Sequence, residues 1–231
     1  MTAGPALLEG SFVDRPNRFV VVIDLADGRR VRAHLPNTGR LTHVTQPGTR
    51  YMLEPVDDPK RVTRFTATRA WDGCWVALDA SRAPSLLADW LAGNELPGFG
   101  PVGSLEREVG LGRRRIDLVA HTPGGAVWLE VKSGGRAQDG RALLSQTPSS
   151  RAAAQLGSLS EVVAAGAPAA VAFVVQRPDV ETLLIEGDAD RGWIESVTKA
   201  ARAGVALLAF GCAVTHESVW IDRQLPITWA E

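Results

Sequence analysis

Two apolar runs on either side of one tight-turn signal constrain this chain more than any other feature. Ile116-Asp117-Leu118-Val119-Ala120-His121 and Ala126-Val127-Trp128-Leu129-Glu130-Val131-Lys132 have the length and composition of strands, and Thr122-Pro123-Gly124-Gly125 between them has turn residues. The two runs are therefore expected to form a hairpin. With Pro123 and Gly124 at its centre, facing positions sum to 123 + 124 = 247, so Asp117 lies opposite Glu130 with Cβ atoms about 4.5–5.5 Å apart. Alternation along the strand sends Lys132 to the face of Glu130 and Val131 to the opposite layer. A turn one residue longer would place the two carboxylates on opposite faces.

Paired carboxylates on apolar strands repel each other and call for a cation or a shared proton. Mg²⁺ (or Mn²⁺) suits such a pair, because it takes a few hard oxygen ligands and keeps waters. An adjacent ammonium can orient a water or offset charge developing on a phosphate. The chain has 25 Lys plus Arg, of which only Lys60, Lys132 and Lys199 are lysine. Lysine at 132 is thus an unusual choice here, and a compact point charge suits metal-bound water better than a forked guanidinium does. The competing expectation is an exposed strand with Asp117 paired to Arg113, Arg114 or Arg115.

With 231 residues, 45% hydrophobic and 22% charged, the chain has ordinary globular composition and length for one large domain or two small ones. Residues 1–80 carry 11 Lys plus Arg against 9 Asp plus Glu, and 81–231 carry 14 against 17, so neither part is basic. Any phosphate binding must then come from local arginine clusters. Cys74 and Cys212 are isolated, which points to neither a zinc site nor a disulfide framework. His34, His43, His121 and His216 show no metal-ligand spacing and are read as surface or hydrogen-bonded residues. No signal peptide is recognised, and the longest apolar stretch, Val162 to Val175, is broken by Gly166 and Pro168, too short for a bilayer. A soluble cytoplasmic protein with no membrane partner is the default expectation, with homodimerisation open.

Six β-prone runs occupy the first part of the chain: Leu7 to Val13, Phe19 to Leu25, Arg30 to Leu35, Thr49 to Pro55, Thr63 to Trp71 and Cys74 to Leu78. They suit a small closed OB-like barrel over residues 1–80. Arg29, Arg30, Arg32 and Arg40, with Phe19, Trp71 and Trp75, offer it a basic face with stacking surfaces for single-stranded nucleic acid. The alternative is that the arginines solvate the wall and the aromatics fill the core. Residues 81–231 read as an α/β domain in the order α-β-β-β-α-β: a helix with Pro84 in its first turn, strands at 105–111, 116–121 and 126–132, a helix at 149–165, and a buried strand at 170–176. The last step is the crossover that parallel strands require. A helix at 191–203, a strand at 205–214 and a hairpin strand at 218–222 follow.

The stretches His34-Leu35-Pro36-Asn37-Thr38-Gly39-Arg40, Ser104-Leu105-Glu106-Arg107-Glu108-Val109, Arg115-Ile116-Asp117-Leu118, Leu129-Glu130-Val131-Lys132 and Leu225-Pro226-Ile227-Thr228 resemble the sugar fermentation stimulation protein A family of bacteria and archaea, nearly end to end. The resemblance implies an all-β OB-like barrel followed by a PD-(D/E)xK restriction-endonuclease-like α/β domain, with a history of nucleic-acid binding and regulation of sugar utilisation genes. It places Asp117, Glu130 and Lys132 on the nuclease signature and Glu108 on the upstream acidic position, giving Asp117, Glu130 and Glu108 as metal ligands. Glu106 rivals Glu108 because both have the same strand parity. Asn37, Arg115 and Arg151, in or beside family-like stretches, join Arg32, Arg40, Trp71 and Trp75 as nucleic-acid contacts. One departure stands out: relatives carry an acidic residue where this chain has Gln146, in the segment Leu144 to Ala152 that leads to the helix.

The function expected is therefore a Mg²⁺-dependent nuclease acting on DNA or RNA. The competing expectation is a nucleic-acid-binding protein with weak or no turnover and a regulatory role in sugar utilisation. Intact Asp117, Glu130 and Lys132 favour the enzyme, and the altered 144–152 segment favours the binder. A third class, a protein-interaction scaffold, predicts no salt-sensitive oligonucleotide binding.

Overall fold

The computed structural model describes residues 6–144, 150–186 and 191–230. In β2 (Val20–Leu25), burial alternates strictly, so Val21, Ile23 and Leu25 face inward. They meet Phe12 of β1 (Leu8–Asn17), Ala33 of β3 (Arg30–His34), Tyr51 and Leu53 of β4 (Arg50–Pro55), and Ala67 and Ala70 of β5 (Phe65–Trp71). β1 pairs with β2 and β4, β2 with β3, and β4 with β5, all antiparallel. A short parallel β3–β5 pairing at Ala33↔Phe65 and His34↔Thr66 closes the ring. This is the expected OB-like barrel. β1 extends past the expected end at Val13 because its register shifts at Phe12/Asp14 and Asp14/Asn17 bend it around the barrel. Gly10 permits the bend's close approach: a Cβ there would lie 2.5 Å from Ile23 Cγ2 and 2.6 Å from the Asp24 carbonyl oxygen.

After β6 (Trp75–Ala77) and a 3-10 turn at Ala80–Arg82 comes α1 (Ala83–Leu91). Next in the chain are β7 (Ser104–Leu111), β8 (Arg114–Thr122), β9 (Gly125–Gly134), β10 (Ala137–Gln138), β11 (Arg141–Leu143), α2 (Ser150–Ala164) and β12 (Ala169–Val175). The chain continues through β13 (Thr182–Ile185), α3 (Arg191–Arg202), β14 (Ala206–Val214), β15 (Val219–Leu225) and β16 (Ile227–Trp229). A six-stranded sheet runs β15-β14-β12-β9-β8-β7. β12 lies parallel to both β9 and β14, as the crossover through α2 requires.

β12, Ala-Ala-Val-Ala-Phe-Val-Val, is buried along its whole length because both faces of the sheet are covered. Its Ala170, Ala172 and Val174 pack with Leu86, Leu87 and Leu91 of α1. Its Val171, Phe173 and Val175 pack with Leu156 and Leu159 of α2 and Trp193 and Val197 of α3. The result is a three-layer α/β unit of the restriction-endonuclease-like kind expected for PD-(D/E)xK. A second sheet, β10-β11-β13-β16, has strands of two to four residues, too short to show a hydrophobic period. Among the described residues no helix is long and apolar enough to cross a membrane.

Barrel and α/β unit are joined by hydrogen bonds at the end of β9. The Gln176 N–H donates to the Gly134 carbonyl, 2.9 Å, and its carbonyl accepts from Ala77 N–H, 3.0 Å. Its side-chain amide donates to Ser133 Oγ, 2.8 Å, and to the Asp79 carbonyl, 3.0 Å. Arg177, buried, donates to the Gly135 carbonyl, to Asp72 Oδ2 from the β5–β6 turn, and to both oxygens of Asp179, at 2.6–2.9 Å.

Candidate active site

The β8–β9 hairpin has the expected register: Thr122↔Gly125 and Leu118↔Leu129 both sum to 247, with Pro123 and Gly124 as the turn. The ladder stops at Leu118↔Leu129, and beyond it Asp117 Oδ2 accepts the Val131 N–H, 2.7 Å. A carboxylate thus takes a donor that a strand carbonyl would otherwise satisfy, so the fork between β8 and β9 fixes Asp117. The alternative pairing of Asp117 with Arg113, Arg114 or Arg115 does not occur. Burial raises the Asp117 carboxyl above its ordinary range, against the Val131 N–H and Lys132, which lower it, while the nearby Glu108 raises it further.

Glu130 lies opposite Val171 on the sheet face covered by α2, with 1% of its surface exposed. Its Oε1 accepts from Lys132 Nζ at 2.6 Å, and its Oε2 is buried with no hydrogen-bond partner among the described residues. Burial pushes its carboxyl up to about 7; Lys132 pulls it down and Asp117 pushes it further up. Lys132 Nζ also donates to Gln155 Oε1 of α2, 3.0 Å. Gln155 was not among the residues expected at the site. Its signal was present, since it is a polar residue within the apolar α2 stripe of Ala152, Leu156 and Leu159.

Glu106 and Glu108, inseparable by parity, are separated by their surroundings. Glu106 Oε1 is 2.6 Å from His121 Nε2, away from the carboxylates, whereas Glu108 lines the same cleft as Asp117, Glu130 and Lys132. Glu108 falls between the ladder pairs Arg107↔Leu118 and Val109↔Ile116 and has φ 52°, a left-handed conformation uncommon outside glycine. Among the described residues no three His, Cys, Asp or Glu side chains are gathered closely enough to enclose an ion. Of the three carboxylates expected to hold a metal, Glu130 is buried, Asp117 is half-buried and Glu108 is exposed, and all three line the same cleft.

The cleft, about 1080 Å³, lies between the barrel and the α/β unit. Its barrel wall is the His34-to-Arg40 stretch, shaped by Arg15, whose guanidinium donates to the carbonyls of Arg18, Asn37, Gly39 and Arg40 at 2.7–3.1 Å. Nothing in the sequence pattern marked Arg15. Asn37 lines the cleft, but its amide donates to the Leu78 carbonyl, 3.1 Å, and accepts from Gly39 N–H, 3.0 Å; it builds the wall. Arg40, Arg136 and Arg151 also line the cleft. His43 is held below its ordinary pKa by burial, and its Nε2 has no partner among the described residues, contrary to the surface or hydrogen-bonded role expected.

Several barrel contacts expected for nucleic acid lie elsewhere. Trp75 is 8% exposed, packed edge-on against Trp71 and His216, so it belongs to the interior. Trp71 is exposed but under the Arg50 guanidinium, outside the cleft; Phe19, 44% exposed, is the aromatic at the cleft mouth. Arg29 and Arg30 pair with Asp27 and Asp24, each at 2.7 Å, and Arg32 is exposed on the wall away from the cleft. Arg115 and Arg151 are exposed beside Glu108. Gln146 lies outside the described residues.

The raised Glu130 carboxyl has a thermodynamic consequence. Its folded pKa, about 7 against an ordinary 4.5, means the folded state holds a proton that the unfolded state releases first. Stability from this group is therefore highest below 4.5, falls as pH rises towards 7, and is flat above. Between pH 5 and 7, in EDTA, the parent is expected to lose about 2 kcal/mol that Glu130→Gln does not. At roughly 2–4 °C per kcal/mol for a chain of this size, the difference appears in thermal melts. Parallel curves for parent and variant would contradict the assignment.

Two family models divide the chain between them: an SfsA N-terminal OB domain matches residues 13–78, and a sugar fermentation stimulation protein RE domain matches residues 81–218. A sugar fermentation stimulation protein homolog of Chloroflexus aggregans is 33% identical over 227 residues, covering 98% of this chain and 87% of its own. The homolog of Acetivibrio thermocellus is 31% identical, with 96% of each covered. The solved structure of Pyrococcus furiosus SfsA in complex with Ca²⁺ superposes with a TM-score of 0.81 at 23% identity, covering 96% of each chain. The two family models and the relatives agree over nearly the whole chain, and the chain belongs to the sugar fermentation stimulation protein (SfsA) family.

Proposed function

We propose that the protein is a divalent-metal-dependent nuclease that hydrolyses phosphodiester bonds of DNA or RNA in the cleft between barrel and α/β unit. The observation that carries the reading is Glu130: a buried carboxylate with one oxygen held by Lys132 and the other without a partner among the described residues, beside the half-buried carboxylate of Asp117. One ammonium against two carboxylates leaves a negative charge unmatched, and such a group destabilises the fold unless further positive charge joins it. The donor set fits Mg²⁺ or Mn²⁺, which need only one or two carboxylates and complete their shell with water and phosphate oxygens. The complex of Pyrococcus furiosus SfsA with Ca²⁺ supports a hard cation in this family. Asp117 and Glu130 would hold the ion, with Glu108 able to join from the rim; when bound, it supplies charge that polarises a phosphate oxygen and acidifies water.

The chain's own residues do the rest. The Val131 N–H orients the Asp117 carboxylate, and Gln155 together with Glu130 fixes the Lys132 ammonium against the sheet. From there the ammonium offsets negative charge building on the phosphate in the transition state. Arg40, Arg136 and Arg151 draw the backbone into the cleft and Phe19 offers a ring for a base.

The test is incubation of the purified protein with single- and double-stranded DNA and RNA, with Mg²⁺ or Mn²⁺ or EDTA, beside calorimetry of metal binding. Cleavage dependent on metal is expected, and Asp117→Asn is expected to lose at least about tenfold in metal affinity along with cleavage. Unaltered metal binding in Asp117→Asn would remove the proposed ion site. Salt-sensitive binding with no cleavage under any condition would leave a binding protein in place of the enzyme.

A further inference from the structure

Beyond the carboxylates, on the side away from the barrel, a second hollow of about 580 Å³ continues the cleft. It shares Glu108, Arg151 and Gln155 with the cleft and adds Arg113 from the β7–β8 turn and Arg114 and Arg115 from the start of β8. Four guanidinium groups therefore meet one carboxylate. Arg114 donates to Ser158 Oγ on α2, 2.8 Å, which ties the turn to the helix. Arg113, Arg115 and Arg151 are exposed and form no ion pair with the described residues, unlike Arg29, Arg30 and Arg50, which are matched to Asp27, Asp24 and Glu9. In a chain of net charge −1 this local excess is not a by-product of a basic composition.

The geometry points to a binding subsite for the backbone phosphates of a nucleic-acid strand at the β7–β8 turn, downstream of the carboxylates as seen from the barrel. The inference rests on the reading of the cleft as a nucleic-acid site. Arg40 on the barrel wall, the inner carboxylates, and the Arg113–Arg115 turn then lie along one continuous track, with Glu108 and Arg151 at the junction of its two hollows. A track basic at both ends and acidic in the middle suits a polyanion held on each side of the bond to be broken. Guanidinium groups suit the ends because their fork matches two phosphate oxygens.

The test measures oligonucleotide affinity against salt in EDTA, so that it is independent of cleavage. Each phosphate contact removed reduces the slope of log affinity against log salt by about 0.7 for a single strand. Arg113→Gln with Arg115→Gln is expected to flatten the slope by about 1.4. Arg29→Gln with Arg30→Gln, removing the same charge from matched positions on the barrel, is expected to leave it unchanged. All four side chains are exposed, so both variants are expected to melt with the parent. Equal flattening in both variants, an unchanged slope in the first, or absence of parental binding would overturn the subsite. Loss of cleavage with the slope difference intact would overturn the nuclease and leave the subsite standing.

Discussion

Lys132→Ala is expected to reduce metal-dependent cleavage by about 10²–10⁴-fold while changing oligonucleotide affinity by less than about twofold, as for a group acting mainly in the transition state. Two routes lead to that loss. In one, the ammonium stabilises the reacting phosphate directly. In the other, it keeps Glu130 ionised: the carboxyl is raised to about 7 even with Lys132 pulling it down, so without the ammonium it rises further, stays protonated at neutral pH and is a poor ligand. A pH profile separates the two. If Glu130 ionisation is the whole effect, activity of the variant recovers as the pH is raised; a variant still inactive once metal binding is restored assigns the loss to the ammonium. Lys132→Arg keeps the charge but not its compact shape and is expected to fall between. Parental turnover in Lys132→Ala at neutral pH would refute catalysis at this site.

Arg177→Ala is expected to be the most destabilising single change considered, by about 3–5 kcal/mol, the range for removing one partner of a buried ion pair. The Arg177 side chain is 4% exposed, whereas Asp72 and Asp179 are 28% and 41% exposed, so water can recover the acids and the lower end of the range applies. The Gly135 carbonyl also loses its donor. The melting temperature is expected to drop by roughly 6–12 °C, at about 2–4 °C per kcal/mol. Arg177→Lys, whose compact ammonium lacks the guanidinium fork that spans two acids and a carbonyl, is expected to recover only part of it. A drop of less than about 2 °C in the alanine variant would mean that the joint between barrel and β9 is held by Gln176 alone.

The inner site was legible in the sequence because a two-residue turn leaves a hairpin a single register, and register decides which side chains share a face. Parity could not choose between Glu106 and Glu108; His121, across the β7–β8 ladder, made the choice by engaging Glu106. The barrel was legible from short runs and turns, yet its proposed binding face was not. Asp24↔Arg30 is a cross-strand pair in which the acid neutralises the base, and the β5–β6 turn folds Trp75 inward against Trp71. Both effects depend on partners across a turn, which a count of arginines and tryptophans ignores. The Arg15 clamp takes three of its four carbonyls from 22 to 25 residues away and the Arg177 joint reaches Gly135 and Asp72, 42 and 105 residues away, so no local pattern encodes them.

Glu108 sits where the backbone is left-handed, at φ 52°. A non-glycine residue held there carries strain of order ~1–3 kcal/mol, which glycine would relieve. Glu130 differs: its Oε2 has no partner among the described residues, but its Oε1 holds the Lys132 ammonium, so losing Glu130 alone would strand a buried cation. Mutational drift therefore runs downhill at Glu108 and uphill at the inner pair unless Glu130 and Lys132 leave together. A lineage with no use for the cleft would shed its rim acid first and keep the inner pair longest.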